Sequence, residues 1–151
     1  MKISLVIVPL ILTAAIGFAL ATQTAINSQL RQALNSPIQA AFASFLIGTL
    51  CLLFLVIFES ASRPSLQQLQ SIPIWLWCGG LLGVYSISIS IYAAPKLGFL
   101  TFTGLVLLGQ IIMSMLLDHF GFLGVDKNPV HWQRLLGAGF IAIGILFTLQ
   151  R

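Results

Sequence analysis

The chain is poor in charge. Of its 151 residues, seven are Lys or Arg and three are Asp or Glu, 7% in all, against roughly 25% in a soluble globular domain. So few charges cannot cover a surface facing water, which argues against an ordinary soluble domain. The acids are also placed at the edges. Glu59 and Asp118 end apolar runs and Asp126 follows in a polar loop, so proton coupling through a mid-membrane carboxylate is not expected. Cys51 and Cys78 sit in apolar runs without ligand spacing, and His119 and His131 lack it too, so no metal site is expected. There is no Gly-rich loop ending in Lys-Ser/Thr and no nucleophile with an obvious base. An ATPase site, an enzyme and a bound cofactor are therefore not expected. The cations are scattered, with no basic run interleaved with aromatics, so nucleic acid is not an expected partner.

What the chain has is apolar length. Hydrophobic residues make up 58% and the mean hydropathy is +1.04. Lipid is the solvent that suits this composition, and a spanning helix needs about 20 largely apolar residues. The runs predict an all-α integral membrane protein, one transmembrane domain with five spans at about 3–31, 38–58, 74–92, 97–117 and 132–149. Asn35-Ser36-Pro37 breaks the first from the second, and the polar stretch 59–73 reads as an extramembrane loop with one amphipathic turn. Ala94-Pro95-Lys96 divides the long region 74–117, because proline ends helices and lysine avoids the bilayer centre. Residues 118–131 form the second polar loop. Trp75, Trp77 and Trp132 stand at span starts, where an amphipathic indole belongs. Lys2, an apolar run and Ala19-Leu20-Ala21 imitate a signal peptide. The run exceeds the usual core of about 7–15 residues, and further spans follow, so cleavage is not expected.

An odd number of spans puts the termini on opposite sides. Lys2, Arg63, Lys127 and Arg134 then share one side, and Arg31, Lys96 and Arg151 the other. Four against three is almost no bias under the positive-inside rule. Either loop position outweighs the bare count, or the chain inserts both ways round. Small residues recur at helical spacing: Gly17 and Ala21; Ala40, Ser44 and Gly48; Gly79 and Gly83; and Gly137, Gly139, Ala142 and Gly144. Such spacing favours close helix packing, within the chain or between chains.

The polar residues at membrane depth are few. Gln23 and Asn27 are one turn apart on one face, with Thr24 beside them, and Gln110 lies well inside the fourth span. An amide in hydrocarbon needs a partner, so these three are expected to face the bundle interior, as interhelical glue or as lining of a substrate cavity. Tyr85 and Trp77 are further candidates for substrate binding. Ser86, Ser88 and Ser90 are expected to bond back to their own helix, and Asp118 and His119 to be interfacial.

The stretch Gly17-x-x-x-Ala21-x-Gln23-x-x-x-Asn27-x-x-Leu30 is similar to the opening of the YdcZ-type five-helix members of the drug/metabolite transporter superfamily. Trp77-Cys78-Gly79-Gly80-Leu81-Leu82-Gly83 resembles that family's Trp-x-Gly-Gly-x-x-Gly segment, with Cys78 interposed. Leu108-Gly109-Gln110, Asp118-His119-Phe120-Gly121, and Arg134 with Gly137 and Gly144 follow in the family's order. The resemblance implies a transporter of small organic molecules or metabolites in the inner membrane. It also implies one half of a ten-helix inverted-repeat architecture. Two copies would complete it, as an antiparallel homodimer or as a heterodimer with a paralogue. The competing expectation is a structural or accessory subunit packed against another membrane protein, with the three amides as glue.

Overall fold

A computed structural model describes residues 2–59 and 63–148. Ser60, Ser62, Leu149, Gln150 and Arg151, used above for a loop, a span end and the charge count, lie outside the described residues. Every regular element among the described residues is helical. In order they are α1 (Lys2–Leu34), α2 (Pro37–Phe58), the short α3 (Leu66–Ser71), a 3₁₀ segment (Ile74–Cys78), α4 (Gly79–Leu97), α5 (Phe99–Phe120), a 3₁₀ turn (Phe122–Gly124) and α6 (Trp132–Thr148). Among the described residues four stretches are long and apolar enough to cross a membrane: Ile7–Leu34, Pro37–Phe58, Ile74–Leu97 and Phe99–Phe120. The apolar α6 is shorter, at 17 residues. Most large apolar side chains on these helices are exposed, Phe18 at 79% and Phe140 at 71%, as suits a surface that meets lipid.

The chain divides into two compact units, Met1–Ala93 and Ala94–Arg151. In the first, α1 packs against α2 across the turn the sequence announces. Asn35 takes a left-handed φ of 53°, which asparagine tolerates better than most residues. The Ser36 hydroxyl then accepts from the Gln39 amide at 3.3 Å, and Pro37 occupies the first turn, where its missing N–H costs nothing. Ala40 and Ala41 are buried against Ile91 of α4, with Leu30 and Ile87 beside them.

Here the expected break at Ala94–Lys96 needs correction, because α4 runs through Pro95 to Leu97 and ends at Gly98. Proline leaves the carbonyl four residues earlier, that of Ile91, without its helical donor. Arg31 of α1 supplies one: its Nη1 donates to Ile91 O at 3.3 Å and reaches Tyr92 O at 3.5 Å. The guanidinium also lies over the Tyr92 ring, 5.8 Å from its centre. The helix therefore survives its proline for a further half-turn. It stops where Gly98 adopts a φ of 84°, open to glycine at little cost.

In the second unit α5 packs against α6. The approach is close at Gly104, where an added Cβ would lie 2.9 Å from Ile145 Cγ1. Thr101 Oγ1 donates to Thr148 O at 3.1 Å and joins the same two helices. The loop between them folds over the end of α5. Gly121 closes that helix in the left-handed region with its N–H on Leu117 O, Asn128 N donates to Asp118 O at 2.7 Å, and Val130 N donates to His119 Nδ1 at 3.3 Å. The turn foreseen in the first polar loop is α3, held by a reciprocal cap in which Gln68 N donates to Ser65 Oγ and Ser65 N to Gln68 Oε1.

Candidate functional site

Among the described residues two grooves, one in each unit, are lined in part by polar residues of the membrane-spanning helices. The first lies between α1 and α2, about 500 Å³ in volume. Thr22, Gln23, Asn27 and Ser44 supply its polar lining, among Phe18, Ile26, Leu30 and Ile47. Asn27 is 4% exposed, and its Nδ2 donates to Ser44 Oγ at 3.2 Å. That bond crosses from α1 to α2. Gln23, one turn away, is exposed along the groove. Thr24 and Ser28 turn inward on their own helix, Thr24 Oγ1 donating to Leu20 O and Ser28 Oγ to Thr24 O.

The second groove lies between α5 and α6, about 370 Å³ in volume. Along α5 its polar side chains are Gln110, Ser114 and Asp118, each one turn from the next. Across from them stand Arg134, Gly137 and Ala138 of α6, with Ile111, Met115 and Ile141 as apolar walls. Arg134 Nη1 lies 2.8 Å from Asp118 Oδ2. Both members of the pair are partly exposed, so it ties α5 to α6 at the mouth of the groove and adds little stability. From Asp118 to Gln110 the ladder descends two turns, about 12 Å at the rise of an α-helix.

Of the three amides expected to face the interior, only Asn27 is buried; Gln23 and Gln110 are exposed along the open grooves of the single chain. The reason is what stands opposite. Asn27 meets a hydroxyl on α2, whereas α2 brings no second hydroxyl into the groove for Gln23, and Gln110 looks across at small or apolar residues of α6. Trp77, in the 3₁₀ segment, and Tyr85, on α4, are both exposed, and neither lines either groove. Ser86 and Ser90 bond back to their own helix, donating to Leu82 O at 2.8 Å and Ser86 O at 2.7 Å. Sequence reasoning did not bring Ser114, or the pairing of Asp118 with Arg134, into the site. The available signal was a serine at i+4 from Gln110 and i−4 from Asp118, and opposite charges on either side of one helix–loop–helix connection.

Comparison with known proteins gives a family and no nearer relative. Residues 8–147 match the model of the family described as "Putative inner membrane exporter, YdcZ". No curated protein and no solved structure matches the chain. With nearly its full length matched and helices of membrane-spanning length in place, the chain belongs to the YdcZ inner membrane exporter family and is a multi-pass inner membrane protein of transporter type.

Proposed function

We propose that two copies of this chain assemble as an inverted pair in the bilayer and carry small organic molecules across it, each copy supplying five spans of a ten-helix drug/metabolite transporter. The observation that carries this reading is the pair of open polar grooves. Gln23 in one and Gln110 with Ser114 in the other present hydrogen-bonding groups on the surface of a single chain. Lipid cannot satisfy such groups, whereas a second subunit and a polar solute can. The glycines support the pairing. Gly17, Gly48, Gly79, Gly80, Gly137 and Gly144 all have open space where a side chain would stand, so their close-packing capacity is unused within the chain. As the fifth span, α6 with its 17 residues falls at the short end of the usual range of about 17–25.

Purified protein reconstituted into liposomes is expected to take up or release members of a metabolite panel, without ATP or bound cofactor. Folded, helical protein that moves no solute across a broad panel would overturn the reading. The second reading is an accessory subunit in which the amides act as interhelical glue, the role Asn27 plays within the chain through its bond to Ser44. Co-purification with one larger membrane protein in place of a dimer would select it, and a paralogue of similar length would indicate a heterodimer.

A further inference from the structure

We infer that the α5–α6 groove binds a net-neutral, zwitterionic solute with an apolar tail, its charged head set against the Asp118–Arg134 pair. The inference rests on the transporter reading and narrows its substrate class. Among the residues lining this groove, Asp118 and Arg134 are the ionisable ones, and they lie 2.8 Å apart. Their charges cancel. A net anion or net cation entering between the helices would give up water for a site with no uncompensated counter-charge, which is unfavourable.

A molecule carrying an ammonium and a carboxylate on neighbouring atoms meets no such obstacle. Asp118 uses Oδ2 on Arg134 and keeps Oδ1 to accept from an ammonium, while Arg134 uses one guanidinium nitrogen and keeps further N–H groups for a carboxylate. The two head groups thus face opposite charges in a four-membered array. Deeper in the groove Ile111, Met115 and Ile141 supply apolar walls, and Gly137 and Ala138 keep the floor low enough for a branched aliphatic tail. The volume, about 370 Å³, falls in the range of small-molecule sites. The α1–α2 groove has no ionisable lining residue, so it offers no comparable selection by charge.

Three probes test this: free leucine, 3-methylbutylamine, which lacks its carboxylate, and 4-methylpentanoate, which lacks its ammonium, all with the same branched tail. Ser114→Cys is built in a Cys51→Ala/Cys78→Ala background, since both native cysteines are exposed, and its labelling by a maleimide is timed in the reconstituted protein at neutral pH. Leucine is expected to slow labelling at a concentration at least tenfold below that needed for either charged analogue. In Asp118→Asn/Arg134→Gln, which keeps a hydrogen-bonding pair, that preference should vanish. Equal protection by all three probes, no protection by leucine, or undiminished preference in the double variant would each overturn the inference. The probe comparison in the protein with its ion pair intact stands whether or not the double variant folds. Solute flux without protection of this groove refutes the site and leaves transport standing; protection without flux refutes transport and leaves the site.

Discussion

Asn27 and Gln110 are both amides at membrane depth, yet their surroundings predict opposite mutant behaviour. Asn27 is buried and bonded to Ser44, so Asn27→Leu or Ser44→Ala should destabilise the chain by about 0.6 kcal/mol and by at most about 1.7 kcal/mol, the mean and maximum measured for interhelical hydrogen bonds in membranes. Reversible unfolding in mixed micelles would measure it, and an unchanged midpoint would remove the bond from the account. Gln110 is exposed in a groove with no hydroxyl or amide across from it on α6. Gln110→Leu should shift stability by less than about 0.5 kcal/mol and reduce flux several-fold. Full transport together with full stability would eliminate both cavity and glue for this residue. The sequence marked these amides as the polar groups to watch, because few others occur in the apolar runs. It could not separate them. Whether an amide is satisfied depends on the residue facing it from the next helix, and helical spacing within one span carries no such information. For the same reason Ser86 and Ser90 were legible, since their partners lie four residues back in the same helix.

At the scale of helices, Pro95 was legible as a disturbance but not as one whose stranded carbonyl finds a remedy 60 residues upstream. Its missing N–H strands the Ile91 carbonyl, and Arg31 of α1 donates to it at 3.3 Å. This predicts a coupled pair. Arg31→Ala should cost about 1–3 kcal/mol, as expected when a charged donor leaves a carbonyl unsatisfied. Pro95→Ala restores a backbone donor four residues on, so Arg31→Ala in that background should cost clearly less. A double-mutant cycle in unfolding free energy measures the difference; additive effects would mean that the proline and the arginine are unconnected. The turn at Asn35–Pro37 was readable in full because cap and proline rules are local. The end of α4 at Gly98 was displaced from its expected place because a long-range contact offset a local helix breaker.

For the whole molecule, what a single chain leaves open is its partner and its orientation. The inverted pair makes the boldest demand, that one sequence enters the membrane both ways round. Four cations against three give the positive-inside rule little to act on. On the five spans proposed above, inversion of one copy gives the pair a two-fold axis in the membrane plane, the symmetry on which inverted-repeat transporters place their site near the midplane. The glycines of α6 and of the 79–83 segment fit this demand, because most have open space beside them and could admit a facing helix. This level was the least legible, since orientation is read chiefly from the charge count, and a balanced count names neither a side nor a partner. A reporter active only in the cytoplasm and another active only outside, each fused after Arg151, should both give signal from the same chain. Adding two lysines to the 118–131 loop should then silence one of them, because a chain balanced within a single charge is easily tipped. Signal from one compartment alone would eliminate the homodimeric inverted pair and leave a parallel dimer, a monomer or a paralogue of opposite orientation. If instead both reporters respond, co-expression of two lysine variants tipped in opposite directions should restore the flux that each alone has lost.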